Sequence, residues 1–224
     1  MTSSTPAQSM PMRNRPQWRV LDIVTAAVLG VAVGLLFWVW NTIGYAGFKA
    51  FDALTPGLGG LFAGVWFLGG ILGGLIIRKP GAAVFVEVIA ASVSALIGSQ
   101  WGIETLYSGL AQGLGAELVF LAFAYRRFTP AVAALAGVGA AVGAFVLELF
   151  TSGNLAMSLA FNVIYLISMT ISGVVLAGLL AYWLVKALAK TGALDRFAAG
   201  RERFGTVDSV DSVDSVDSVA ADRA

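Results

Sequence analysis

Three glutamates, Glu87, Glu117 and Glu148, stand inside long apolar stretches of the sequence that contain no Lys, Arg or His. A charged side chain inside a membrane span costs about 2.5–3.5 kcal/mol on insertion scales, so it is rare there without a function. Because no basic residue lies within these stretches, the carboxylates must be compensated by a proton, a hydrogen-bond donor or a group from outside the chain. A small cationic solute is the first hypothesis.

The composition indicates an all-α integral membrane protein. The 224 residues are 58% hydrophobic and 12% charged, whereas soluble domains are about 45–50% apolar and about 25% charged. The chain has no Cys and no His, which removes thiolate chemistry, the commonest metal ligand and the commonest general base. We therefore expect no enzyme, no cofactor and no metal site, and the paired carboxylates of a membrane enzyme are the weaker alternative.

Apolar runs of spanning length, separated by turn or charged residues, predict six transmembrane helices. They lie at residues 20–41, 57–77, 81–98, 105–125, 131–150 and 160–187. Of the 14 Lys and Arg residues, 13 fall on one side of this six-span arrangement and only Lys49 falls on the other. By the positive-inside rule, both termini are cytoplasmic.

The two ends of the chain differ from this helical part. Residues 1–19 are polar and contain proline, and they predict a disordered cytoplasmic tail rather than a cleaved signal peptide. Residues 201–224 include an acidic Val-Asp-Ser tandem of low complexity, which predicts a second disordered tail. One six-helix membrane domain is expected over residues 20–200.

Small residues recur along one face of the first helix. Ala26, Gly30 and Gly34 repeat every four residues, and such a stripe either packs within the chain or docks on another subunit. The sequence carries no nucleotide-binding fingerprint, so an ATPase that drove transport would be a separate polypeptide. Two equivalent halves with broken helices, the usual sign of a secondary transporter, are also missing from the sequence.

The third and fourth helices carry the polar residues that could form a site. Ideal helix geometry places Glu87 and Glu117 about 12–14 Å from the cytoplasmic edge, so both could face one cavity. By the same geometry Gln112 lies about 140° around the helix from Glu117, so it could border that cavity only near the rim. Glu148 lies near the outer end of the fifth helix and is either a ligand contact or a solvated side chain.

Aromatic residues could form the walls of such a cavity. Trp66 lies in the middle of a Gly-rich helix, where an interfacial belt does not account for it. Trp101 lies in the outer turn between the third and fourth helices and is a candidate lid. A cation over a Trp face gains about 0.5–2 kcal/mol. Carboxylates with aromatic walls suit a flat, positively charged heterocycle.

Several segments, in the same order, resemble the YkoE-type substrate-binding S components of energy-coupling factor (ECF) transporters. The matching segments are Gly64-Val65-Trp66-Phe67, Ile77-Arg78-Lys79-Pro80-Gly81-Ala82-Ala83, Gln112-Gly113-Leu114-Gly115-Ala116-Glu117, Ser172-Gly173 with Leu176-Ala177-Gly178-Leu179-Leu180, and Thr191-Gly192-Ala193-Leu194. The resemblance covers roughly residues 18–200. It implies an S-component-like bundle of six helices that captures thiamine or its hydroxymethylpyrimidine precursor from outside the cell.

The resemblance also implies partners and site residues. The subunit would associate with a transmembrane T subunit and two ABC ATPases, docking through Ala26, Gly30 and Gly34. The substrate-binding residues that stand within matching motifs are Trp66, Glu87, Gln112 and Glu117. Trp101 and Glu148 are further candidates at positions where the family pattern varies. The alternative that stays open is a stand-alone proton-linked carrier or channel for a small organic cation.

Overall fold

A computed structural model describes residues 17–201, and this part of the chain is helical without any strand. In chain order the elements are α1 (Val20–Leu54), a 3₁₀ segment (Leu58–Phe67), α2 (Leu68–Ile77), α3 (Ala82–Gly98), α4 (Glu104–Ala122), α5 (Pro130–Thr151), a short 3₁₀ turn (Asn154–Ala156), α6 (Leu159–Ser172), a π-helical segment (Gly173–Leu179) and α7 (Leu180–Lys190). The long 3₁₀ segment continues directly into α2, and α6 continues through the π-helical segment into α7. The described chain is therefore a bundle of six membrane-spanning helical segments, as the sequence predicts.

The six membrane-spanning helical segments differ in length and in apolar character. Four are long and apolar enough by themselves: Val20–Leu54, Leu58–Ile77, Pro130–Thr151 and Leu159–Lys190. α3 is apolar but has only 17 residues, and α4 is less apolar because it carries Glu104, Gln112 and Glu117. α3 packs between α1 and α4, and the two least typical spans carry Glu87, Gln112 and Glu117 into the bundle.

The first helix is longer than the sequence predicts. It runs to Leu54 rather than to residue 41, because no proline interrupts it before Pro56. Thr55, which precedes that proline, has an extended backbone (φ −149°, ψ 120°), as residues before proline commonly do. The additional turns carry Tyr45 and Asp52 beyond the predicted end of the helix.

The small-residue stripe of α1 faces α3. Ala26, Gly30 and Gly34 are buried, and a Cβ added to Gly30 or Gly34 would meet the side chain of Ile89 at 2.6 Å or the carbonyl oxygen of Ala90 at 2.7 Å, respectively. The stripe thus lets two helices of the same chain approach closely. Packing within the chain therefore accounts for the stripe in this structure, and docking on another subunit through Ala26, Gly30 and Gly34 stays a prediction.

The connection between α2 and α3 is fastened to the start of α1. Lys79 Nζ lies 2.5 Å from Asp22 Oδ2, in an ion pair whose carboxylate is fully buried. Lys79 also donates to the carbonyl oxygen of Gln17 at 2.7 Å, and Trp18 Nε1 donates to that of Pro80 at 3.0 Å. Gln17 and Trp18, which the sequence assigns to a disordered tail, are thus bound to this loop; the rest of that tail and nearly all of the predicted C-terminal tail lie outside the described residues.

The same loop is fastened to α4 from the other side. Glu117 accepts hydrogen bonds from the backbone N–H groups of Gly81 at 2.6 Å and Ala83 at 3.1 Å. These donors lie at the start of α3, where backbone N–H groups lack helical partners and a negative charge is favourable. We call Asp22, Lys79 and Glu117, with the α2–α3 loop that they hold, the cytoplasmic clamp.

Candidate substrate-binding cavity

A cavity of about 350 Å³ lies on the opposite side of the bundle from the cytoplasmic clamp. Trp101, Glu104 and Asn154, which stand in or beside the outer connections, line one part of it. Glu87 and Gln112, which lie several turns along α3 and α4 toward the cytoplasm, line another. The cavity therefore extends from the outer connections into the bundle, and its volume falls within the range of small-molecule sites, about 300–1,000 Å³.

Five of the six predicted substrate-binding residues line this cavity, and their role in binding stays a prediction. They are Trp66, Glu87, Trp101, Gln112 and Glu148. Glu117 is not among the described residues that line it, since its carboxylate is held by the cytoplasmic clamp. The expectation that Glu87 and Glu117 face one cavity is corrected: on α4 it is Gln112, on another side of the helix, that faces Glu87.

The cavity carries a strongly acidic lining. Four carboxylate side chains border it, Asp52, Glu87, Glu104 and Glu148, and the described lining residues include no Lys or Arg. Lys49 lies outside the lining, with its Nζ 5.4 Å from the ring centroid of Tyr45, which is a lining residue. A concave site with one sign of charge raises the local concentration of the opposite sign. The lining therefore favours a cation.

The deep end of the cavity is a hydrogen-bonded array around Glu87. This side chain is fully buried, and its Oε2 accepts a hydrogen bond from the backbone N–H of Gly70 at 2.5 Å. One orientation of the Gln112 amide satisfies all of its neighbours. In it, the amide oxygen accepts from Ser108 Oγ at 2.6 Å, and the amide nitrogen donates to the Trp66 carbonyl at 2.8 Å and to Glu87 Oε1 at 3.2 Å. A carboxylate offers about four lone-pair sites, so Glu87 can accept further hydrogen bonds from a ligand.

Trp66 is held in place by polar contacts at its edge. Its Nε1 donates to Asn41 Oδ1 at 2.9 Å, and Asn41 Nδ2 donates to Ser94 Oγ at 3.0 Å. Trp101 meets the Trp66 ring edge to face, with centroids 5.5 Å apart, and meets Tyr45 in the same manner at 5.1 Å. The indole of Trp66 is thus fixed as one wall of the cavity, with Trp101 between it and α1.

The unusual backbone that carries Trp66 has an identifiable cause. Ser172 Oγ accepts from the backbone N–H of Gly64 at 2.8 Å and donates to the carbonyl oxygen of Leu61 at 2.6 Å. Two backbone groups of the 3₁₀ segment are therefore satisfied by α6 instead of by a regular helical ladder. Runs of 3₁₀ helix longer than 3–4 residues are uncommon, and this contact helps to explain why a run of 10 residues is stable here.

The outer end of the cavity combines carboxylates with aromatic rings. The hydroxyl of Tyr165 donates to Glu148 Oε2 at 2.7 Å. The Tyr165 ring stacks on Phe161, with centroids 5.6 Å apart and planes inclined by 17°, and meets Phe48 edge to face at 6.1 Å. Asp52, which also lines the cavity, accepts from a backbone N–H of the α1–3₁₀ connection. Glu148 is thus a half-buried, hydrogen-bonded part of the cavity wall.

Sequence reasoning missed several polar residues of the site, three of which bear on its arrangement, and misplaced one. Asn41, Asp52 and Ser108 line the cavity, although the first two stand at or beyond the predicted end of the first helix. Ser108 precedes Gln112 by four residues, the spacing of neighbours on one helix face, and that spacing could have revealed it. Gln112 was expected at the rim, but it lies beside Glu87.

Comparisons with known proteins place the chain in a class. A crystal structure of an S-component of an ECF transporter shares the fold with a TM-score of 0.81 and 34% sequence identity, over 88% of this chain and 98% of the other. The family described as "ABC-type cobalt transport system, permease component" matches residues 21–143. A protein of Bacillus subtilis (strain 168) that carries the name HMP/thiamine permease protein YkoE is 37% identical over 187 residues, 83% of this chain and 92% of the relative.

The chain therefore belongs to the YkoE-like S components of ECF transporters. It is a multi-pass integral protein of the cell membrane, and it is a transport protein rather than an enzyme. The resemblance stated from the sequence segments is confirmed.

Proposed function

We propose that this chain is the substrate-binding subunit of an ECF-type uptake system that captures thiamine or hydroxymethylpyrimidine from outside the cell. The observation that carries the proposal is the cavity beneath the outer connections, with its four carboxylates and its aromatic walls. The name of the Bacillus subtilis relative, which mentions HMP and thiamine, supports the same ligand class.

The deep end of the cavity suits an aminopyrimidine. Its exocyclic amine would donate hydrogen bonds to Glu87, and Gln112 would fix the orientation of the ring through its amide. The ring would lie against Trp66, whose position is set by Asn41. Hydrogen bonds to a charged partner are each worth about 1.5–3 kcal/mol, so Glu87 would contribute a large part of the affinity.

The description of the matching family mentions cobalt, and the residues of this chain argue for an organic cation instead. The sequence has no His and no Cys. Within residues 17–201, no group of three or more His, Cys, Asp and Glu side chains could hold a metal ion. First-row metal ions such as cobalt are commonly bound through imidazole or thiolate ligands, whereas carboxylates with aromatic rings fit a heterocyclic cation.

Import would depend on partner subunits. The sequence has no nucleotide-binding fingerprint, so we propose that a transmembrane T subunit and ABC ATPases supply the energy while this chain supplies the binding site. The competing hypothesis is a stand-alone proton-linked carrier or channel. Uptake of labelled thiamine into vesicles separates the two, because our proposal requires the ATPase subunits and ATP, whereas uptake by this chain alone would contradict it.

Calorimetric titration of the detergent-solubilised protein tests the binding site directly. We expect saturable binding of thiamine or of hydroxymethylpyrimidine, and no competition by cobalt chloride. The Glu87→Gln variant should bind at least tenfold more weakly, about 1.4 kcal/mol. Folded wild-type protein that bound neither ligand would refute the proposed substrate class.

A further inference from the structure

We infer that the cavity recognises its ligand at two separate ends, and that Glu148 and Tyr165 at the outer end select ligands that carry a second, positively charged ring. This inference rests on the proposed function, because it assumes that a pyrimidine occupies the deep end. It assigns to Glu148 and Tyr165 the discrimination between ligands with one ring and ligands with two rings at the same site.

The first argument is the separation of the two ends. Glu87 lies 11 residues before the outer end of α3 at Gly98, which corresponds to a depth of about 16 Å at 1.5 Å per residue. Glu148 lies three residues before the outer end of α5 at Thr151, a depth of about 4–5 Å. With the outer ends of α3 and α5 taken at one level, the two residues differ in depth by about 11–12 Å along the bundle. One six-membered ring is too short to contact both, whereas two linked rings are long enough.

The second argument is the difference in chemistry between the ends. At the deep end, Glu87 is surrounded by directional hydrogen-bonding groups, among them the Gln112 amide and the Ser108 hydroxyl. Such an array recognises a ring by the positions of its hydrogen-bond donors and of its acceptor nitrogens. A pyrimidine with an exocyclic amine has those groups at defined angles.

At the outer end, the polar contact of the carboxylate within the described chain is the Tyr165 hydroxyl. The surroundings are the aromatic rings of Tyr165, Phe161 and Phe48, and the Asp52 carboxylate lines the same end of the cavity. A negative charge beside aromatic rings attracts a ring with a delocalised positive charge, and it does not require that ring to donate hydrogen bonds. A thiazolium has this character, since its charge is permanent and its ring nitrogen carries no hydrogen.

Tyr165 has a positioning role in this arrangement. It is only 6% exposed, and its hydroxyl holds the carboxylate of Glu148 while its ring packs between Phe48 and Phe161. Removal of the hydroxyl would release the carboxylate and leave the aromatic wall in place. The pair should therefore act on the charged ring and not on the pyrimidine.

The test is a comparison of two ligands on four proteins. We would titrate wild type, Glu148→Gln, Glu148→Asp and Tyr165→Phe with thiamine and, separately, with hydroxymethylpyrimidine. Glu148→Gln should lose at least tenfold in thiamine affinity and stay within twofold of wild type for hydroxymethylpyrimidine. Glu148→Asp keeps the charge and should retain most of the thiamine preference. Tyr165→Phe should lose about threefold for thiamine alone.

Each alternative outcome is decisive. Equal losses for both ligands, or no loss for either, would overturn the inference while leaving the proposed function intact. Wild-type protein that bound hydroxymethylpyrimidine and not thiamine would also overturn the inference alone. Wild-type protein that bound neither would refute the proposed function and the inference with it. If Glu148→Gln failed to fold, Tyr165→Phe would still test the inference. A Tyr165→Phe protein with unchanged thiamine affinity would then overturn it.

Discussion

The cytoplasmic clamp and the cavity both bury carboxylates inside a membrane bundle, but they satisfy them differently. In the clamp, Asp22 accepts hydrogen bonds from the backbone and side chain of Arg19 and from Lys79. Glu117 accepts from two backbone N–H groups. In the cavity, Glu148 has one side-chain donor among the described residues, and the described lining contains no basic residue.

This contrast shows that a buried carboxylate in a membrane protein does not by itself indicate a ligand site. What matters is whether the chain supplies enough donors and positive charge to satisfy it. The clamp carboxylates are satisfied by the fold and stabilise it, whereas the cavity carboxylates retain acceptor capacity for a cation. Substitutions at the two ends should therefore separate stability from binding.

The largest effect on stability is expected at Asp22. Asp22→Ala leaves Lys79 without its buried ion-pair partner and removes the acceptor of the first helical turn. Loss of one partner of a buried pair costs about 3–5 kcal/mol, so the melting temperature in detergent should fall sharply. The protein that remains folded should bind thiamine within twofold of wild type.

The control for Asp22 is Glu104→Ala, which removes an exposed carboxylate at the outer end. Its melting temperature should stay close to that of wild type, because an exposed charge contributes little to stability. If Asp22→Ala melted like wild type, the clamp would not be a stabilising element.

A pair of isosteric variants tests the contrast most directly. Glu87→Gln keeps an oxygen that accepts from Gly70 but removes the negative charge, so it should weaken ligand binding at least tenfold. Its new amide nitrogen meets the Gln112 amide; because that side chain can rotate, the melting temperature should fall less than in Glu117→Gln. Glu117→Gln leaves one of two backbone N–H groups without its acceptor, which costs about 1–3 kcal/mol. It should lower the melting temperature and leave the affinity unchanged.

Calorimetry would give the ligand affinity of each variant, and thermal denaturation would give its melting temperature. A Glu117→Gln protein with weakened binding and unchanged stability would reverse the assignment of the two glutamates. It would return Glu117 to the role that the sequence motif suggests.

The sequence predicts the membrane architecture because the bilayer imposes simple rules. Each span needs about 20 apolar residues, and the cytoplasmic side carries the basic ones. Four spans follow from length and apolar composition alone, and the alternation of basic residues between the two sides adds α3 and α4. The family segments add the class of protein, because they occur in the same order along the chain.

The details of the site were harder to predict, because they depend on helix rotation and on contacts far apart in sequence. The spacing of five positions between Gln112 and Glu117 places them on different sides of α4, and the sequence does not say which side faces the cavity. The stripe at Gly30 and Gly34 has the same pattern whether it packs against α3 or against another subunit. The contact between Ser172 and Gly64 joins residues 108 positions apart, so no local signal reveals it.

That contact gives a smaller and more specific prediction. Ser172→Ala leaves the Gly64 N–H and the Leu61 carbonyl without their side-chain partner, at a cost of about 1–3 kcal/mol. Trp66 follows Gly64 by two residues, so its ring should move. We expect about threefold weaker thiamine binding and a shifted tryptophan emission maximum.

Ser92→Ala is the matched control for Ser172→Ala. Its hydroxyl donates to the carbonyl oxygen of Val88, one turn earlier in the same helix, at 2.7 Å. Removing it leaves a carbonyl that already belongs to a helical ladder, so binding and emission should stay at wild-type values. The same shift in both variants would mean that the 3₁₀ segment is not positioned by Ser172.

The smallest effect is expected at Trp101, and it should appear in a rate. Its ring contacts Tyr45 and Trp66 edge to face, and such aromatic pairs are worth about 0.5–1.5 kcal/mol each. The turn that carries it is also held by a hydrogen bond of 2.8 Å from Thr105 to Ser99, which the substitution does not touch. Trp101→Ala should therefore lower the melting temperature only slightly and speed thiamine dissociation about twofold, measured by stopped-flow fluorescence.

Trp101→Phe distinguishes a lid from a simple wall. A phenylalanine keeps an aromatic edge against Tyr45 and Trp66, so it should restore most of the slow dissociation if the ring closes the cavity over the ligand. The association rate should change little in either variant, because the carboxylates that attract a cation, including Glu104 beside the turn, remain in place. Equal dissociation rates for alanine, phenylalanine and wild type would show that this side chain does not retain the ligand.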